Sequence, residues 1–112
     1  MTYTNKHFDE ILQAKQMPAP HGELTAIRAY IDCQHREESE YIIREMGFAN
    51  EMPDFMAAIQ AAGITEFIIA DASTALMEIL NILMNNGWMA AGTYEHDDKY
   101  CKVFGLRMRK AA

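Results

Sequence analysis

Apolar residues recur at two different periods along this chain, and the change of period marks where helices give way to strands. Phe8, Ile11 and Leu12 share one face of a first helix, with Asp9 and Glu10 in its favourable first turn. Asn5 or Thr4 supplies the cap, and the helix runs through Gln16, stopping before Pro18-Ala19-Pro20 because a residue preceding proline avoids helical angles. A second, longer helix is expected to start near Gly22 to Thr25 and to present Leu24, Ile27, Tyr30 and Ile31 at helical spacing. Its polar middle, Gln34 to Glu40, either bridges solvent as continuous helix or breaks so that a new turn starts near Ser39. Tyr41, Ile42 and Met46 then resume the stripe before Gly47.

Asn50 as cap, Pro53 where a missing amide hydrogen costs nothing, and Glu51 and Asp54 in the first turn announce a third helix that buries Phe55, Met56, Ile59 and Ala62 and ends at Gly63. The β-branched run Ile64 to Ala70 then reads as a strand, and Thr74 to Asn86 as a fourth helix closed by Gly87. Because that helix carries only a narrow polar stripe of Glu78, Asn81 and Asn85, it is expected to lie buried at the centre of the core. Trp88 to Glu95 and Tyr100 to Met108 flank the short acidic turn His96-Asp97-Asp98-Lys99 and read as a hairpin. Tyr100, Phe104, Leu106 and Met108 alternate onto one face of it, and Cys101, Val103, Arg107 and Arg109 onto the other.

The expected fold is α+β. N-terminal helices (residues 5–63) precede a β-α-β-β unit (residues 64–110), and a three-stranded mixed sheet packs on the central fourth helix, all within a single domain, 1–112. The first strand should pair in parallel with a hairpin strand through a right-handed crossover.

Composition narrows the functional classes. The initial residues hold no apolar stretch of signal-peptide type and no segment reaches the roughly 20 apolar residues of a membrane span, so a soluble, cytoplasmic protein is expected. In that reducing setting Cys33 and Cys101 read as free thiols. Net charge is −6, unevenly distributed: Glu45 to Asp98 contains nine acids and no Lys or Arg, whereas the chain from Lys99 onward contains five bases and no acid. A middle without cations is a poor nucleic-acid surface, since phosphate binding rests on Lys and Arg.

Candidate chemistry is sparse. Cys33 and His35 stand about 200° apart on a helix and cannot pair as nucleophile and base. Asp32, His35 and Glu38 share a face and could in principle ligate a metal, but a solvated helix face explains them without further assumption, so neither metal nor cofactor is assigned. No glycine pattern cradles a phosphate. Met46, Met52, Met56, Met77, Met84 and Met89 invite comparison with adaptable binding surfaces, although core filling at helical spacing explains them more simply.

The string Ala61-Ala-Gly-Ile-Thr-Glu-Phe-Ile-Ile, then Ser73-Thr-Ala-Leu-Met-Glu78 and Asn86-Gly-Trp-Met-Ala-Ala-Gly92, resembles a group of small uncharacterised proteins of gut bacteria, often carried on mobile genetic elements. The resemblance, clearest over 55–92, implies a shared fold and a mobile-element or phage context, and transfers no catalytic residue.

Two functions of different class follow. The first is a non-enzymatic interaction protein whose acidic surface (Glu51, Asp54, Glu66, Asp71, Glu95, Asp97, Asp98) docks on a basic protein partner; one specific form is an inhibitor of a nucleic-acid-binding host-defence complex. The second is a small-molecule binding domain with a pocket between the fourth helix and the hairpin, lined by Trp88, Tyr94 and Tyr100 with His96 as titratable group. A homodimer is the expected way to cover any open apolar sheet face.

Overall fold

The computed structural model describes residues 1–14, 21–71, 73–97 and 102–111. Helix α1 spans Lys6–Gln13, and Asn5 caps it by accepting a hydrogen bond from Phe8 N at 3.1 Å. Its buried Phe8 ring lies 5.2 Å from that of Tyr30 on helix α2, His21–His35. The Tyr30 hydroxyl fastens the two helices: it accepts from Asn5 N and Gln34 Nε2 and donates to Asp9 Oδ1 at 2.6 Å.

Helix α2 ends at His35 and does not continue through the polar stretch. Glu37 adopts φ 57°, and Glu38 N and Glu37 N bond back to Cys33 O and Gln34 O, a Schellman-type close that is usually built on glycine. The chain beyond it is extended. Tyr41, Ile42 and Met46, expected on a helix, belong instead to and around a two-residue strand β1, Ile42–Ile43. Two β-branched isoleucines flanked by an aromatic suit a pleated, fully buried site better than a helix.

After a 3-10 turn at Ala49–Glu51 comes helix α3, Met52–Ala61, with Pro53 in its first turn and Met52, Phe55, Ala58 and Ile59 buried. Gly63, at φ 71°, ends it: Ile64 N bonds to Ile59 O and Gly63 N to Gln60 O. Strand β2, Glu66–Ile69, leads to helix α4, Leu76–Asn85, then strands β3, Trp88–Asp97, and β4, Lys102–Lys110. The described residues thus form four α-helices and one mixed sheet of order β1-β2-β4-β3.

Three expectations change here. The sheet has four strands, because β1 adds to its edge. Strand β2 is antiparallel to its hairpin neighbour β4 and finds its parallel partner in β1, with Ile42 opposite Ile68. Helix α4 is not the central rod: only Ile79 and Leu83 are buried, and Met77 is 76% exposed. The centre is held by α2, whose Gly22, Ala26, Ile27, Ala29, Tyr30 and Cys33 are all buried. A Cβ on Gly22 would collide with the Glu51 carbonyl oxygen and lie 2.6 Å from Phe55 N, so only glycine lets α2 approach the start of α3.

The hairpin alternates as expected, with Met108 opposite Phe67 and Leu106 opposite Ile69 on the helix-covered face. Phe104 continues that alternation past the end of β2 and is 67% exposed. Each outer strand has one special feature at its edge. Cys33 Sγ donates to Ile42 O and accepts from Ile42 N, at 3.2 and 3.3 Å, on the side of β1 away from β2. In β3 the register shifts between Ala90 and Thr93, where Gly92 adopts φ 109°.

Candidate functional site

The parallel pairing of β1 with β2 decides which loops meet. The chain leaving β1 (44–48) and the chain leaving β2 (70–71 and 73–75) emerge at the same end of the sheet, and Met46 N donates to Asp71 Oδ2 at 2.9 Å to tie them together. The last β2 pair is Ile69 with Leu106, so residues 94–97 and 102–105 carry the hairpin past that same end. Helices α3 and α4 run back from these loops, and α2, which leads into β1 from the opposite end, also starts here beside Glu51.

This end gathers Glu45, Glu51, Asp54, Asp71, Glu78, Glu95 and Asp97. Part of that acidity serves the fold: Glu51, Asp54 and Glu78 sit in first turns, where carboxylates offset the positive end of the helix dipole. Asp71 accepts from Met46 N and Ser73 N, and Glu95 pairs with Lys102 at 2.8 Å across the hairpin. An exposed pair of that kind contributes little to stability.

Of the residues singled out for docking, Glu51, Asp54, Asp71, Glu95 and Asp97 are brought to this end, and Asp98 lies outside the described residues. Glu66 is not brought there. It opens β2 at the opposite end, where Arg107 and Arg109 bond it at 2.7 and 3.2 Å. Those two guanidinium groups hold its carboxyl below the usual range, and Arg107, raised in turn, bonds Glu40 at 2.7 Å as well.

Among the described residues Trp88 does not meet Tyr94 and His96 in one pocket. Trp88 and Tyr94 pair with Lys110 and Gly105, positions of opposite parity on β4, so their side chains leave opposite faces of the sheet. Tyr94 stacks on His96 at 5.9 Å between ring centroids and packs on the core. Burial, and then the nearby carboxylates of Glu38 and Glu40, push its phenol upward. Tyr100 lies outside the described residues. Trp88 does border a cavity of about 360 Å³, but the other walls are Met56, Gln60, Gly63, Ile64, Thr65, Asn86 and Lys110.

A second groove of about 390 Å³ runs between α2 and the loop after β1, with Arg28, Asp32, Arg44, Glu45 and Glu51 among its lining residues. Its charges largely answer one another: Asp32 binds Arg36 and Arg44, and Arg44 also binds Glu38. The face of Asp32, His35 and Glu38 is therefore tied up by arginine, and among the described residues no group of three or more His, Cys, Asp or Glu is arranged to hold a metal ion. Burial raises the Cys33 thiol, which keeps it protonated and poorly nucleophilic. Among the six methionines considered together, Met46 and Met52 are core, Met56 is half-buried, and Met77, Met84 and Met89 are exposed.

Lys110 is one of the five bases from Lys99 onward, and no sequence pattern sets Arg44 apart. The one signal for Lys110 was positional: a last-strand lysine able to pair across the hairpin with the tryptophan after Gly87. Among the described residues no helix is long and apolar enough to cross a membrane. No curated protein and no solved structure matches the chain. The model of a family described as a domain of unknown function, DUF7698, matches residues 25–107, most of the chain, which therefore belongs to that family.

Proposed function

We propose that this chain is a non-enzymatic protein-binding domain that presents its acidic end to a basic partner surface. One observation carries the reading. The loop after β1 beyond Arg44, the loop after β2 and the outgoing strand of the hairpin tip all come from the stretch Glu45 to Asp98, which contains no Lys or Arg, and Arg44 itself is held by Asp32 and Glu38. Folding therefore concentrates at one end a charge that the sequence only spreads along a line. Helix-dipole compensation accounts for Glu51, Asp54 and Glu78, but not for Glu45 or Asp97.

Such an end steers a cationic partner during encounter and repels nucleic acid and a second copy of itself. A nucleic-acid-binding complex fits as partner, since clustered carboxylates compete with phosphates for the same Lys and Arg side chains. A mobile-element setting, with a host-defence complex as target, belongs to this proposal.

Affinity capture at rising salt tests it, using the chain and a Glu45→Lys, Asp54→Lys, Asp97→Lys variant. The expected result is a captured basic protein whose retention falls at least about tenfold with the variant and weakens with salt. Retention indifferent to both would defeat the reading. Reversal of Glu10 on α1 serves as the distant control.

A further inference from the structure

We infer that the cavity beside Trp88, at the end of the molecule opposite the acidic loops, is a binding site for a small amphiphilic carboxylate. It lies where the close of α3, the start of β2, the turn from α4 into β3 and the end of β4 converge. Met56, Ile64 and Trp88 give it apolar walls, while Gln60, Thr65, Asn86 and Lys110 supply polar groups. At about 360 Å³ it falls at the lower end of the range that small-molecule sites occupy.

The Trp88 ring is a fixed wall. It is 4% exposed and meets Phe67 edge to face at 4.9 Å, and Phe67 meets Phe55 in the same way at 5.7 Å. Lys110 Nζ stands 5.3 Å from the centroid of that ring and donates to Asn86 O at 3.0 Å. These contacts hold the ammonium beside the cavity and leave donor capacity, since a lysine has three N–H groups. No carboxylate is among the described residues that line the cavity. A cation held on an aromatic wall at an apolar cavity, with no acid to answer it, matches an anion that carries an apolar body.

The groove beside α2 lacks this combination, because Asp32 already holds Arg36 and Arg44 there. Arg107 and Arg109, at β4 positions of the other parity, are answered by Glu40 and Glu66, so Lys110 is the cation that faces the cavity among the described residues. The site is separate from the docking end, so either assignment stands or falls alone.

Trp88 is the single tryptophan of the chain, and its emission reports directly on the site. The probes are octanoate and its uncharged counterpart octanamide, titrated into the full chain. Octanoate is expected to change Trp88 emission saturably, with octanamide at least tenfold weaker. Lys110→Met should bring octanoate down to the level of octanamide and leave octanamide unchanged. Met56→Phe, which fills the cavity, should abolish both responses; circular dichroism confirms that each variant is folded. An absence of saturable response to octanoate, equal affinity for the two probes, indifference to Lys110→Met, or unchanged binding by Met56→Phe would each overturn the assignment.

Discussion

Helices α2 and α4 invert what their compositions suggest. Helix α4, Leu-Met-Glu-Ile-Leu-Asn-Ile-Leu-Met-Asn, is the more apolar, yet it buries only Ile79 and Leu83 and leaves Met77 and Met84 in solvent. Helix α2 carries His, Glu, Arg, Asp and Gln, yet six of its residues are buried. Position in the layers decides the matter. Helix α2 is gripped by α1, α3 and β1, and its Gly22, Ala26 and Ala29 are buried because small residues let those neighbours come close. Helix α4 rests on the side of the sheet formed by β3 and has no element outside it among the described residues. Composition reports how much apolar surface a helix has, and topology reports how much of it gets covered.

The sharpest way to break this comparison is to substitute both helices and measure chemical denaturation. Gly22→Ala and Ile27→Ala should be the most damaging. The first forces backbone apart at Glu51 and Phe55, costing about 3 kcal/mol or more, and the second leaves a void, costing about 2–5 kcal/mol. A smaller loss, about 1–3 kcal/mol, is expected for Cys33→Ala, which strands the buried N–H and C=O of Ile42 without partners.

Alkali should act on the same region. Burial raises the Cys33 thiol and the Tyr41 phenol above their ordinary values, so the native state holds these protons more tightly than the unfolded chain. Their contribution is complete below about pH 8.5, where an unfolded thiol begins to ionise, and is lost as pH rises through the folded values. A stability profile flat from pH 8 to 11 would contradict this. Smallest of all, Met77→Ser and Met84→Ser on α4 should change stability by no more than about 0.5 kcal/mol, whereas a buried central helix would lose several times that.

Local chemistry made much of the fold legible in the sequence. The Asn5 cap, Pro53, the Gly63 close, the β-branched run before Ile69 and the hairpin alternation of Leu106 and Met108 each depend on neighbours a few residues away. What escaped depended on distant partners. Strand β1 is two residues long and exists because Ile68 N and Ala70 N reach Tyr41 O and Ile43 O, twenty-seven residues along the chain. The break after α2 is one of the two readings the sequence leaves open, undecided there because Glu37 takes a conformation that glycine usually supplies. The candidate sites follow the same division. Acid counting named most of the carboxylates that meet at the loop end, but which end each occupied, and the placing of Glu66 at the other, followed from strand pairing. Trp88 is grouped in the sequence with Tyr94 and His96, which the register against β4 sends to the opposite face.

The sulfur of Cys33, seated against Ile42, has a consequence for how molecules of this protein meet at high concentration. A sheet margin normally offers free amides and carbonyls that can template a passing extended chain, and fibril growth begins there. On the β1 flank that template is already occupied by a thiol of the same molecule. On the β3 flank the kink at Gly92 throws successive amides out of line. Recruitment of stray strands is discouraged at both of these places.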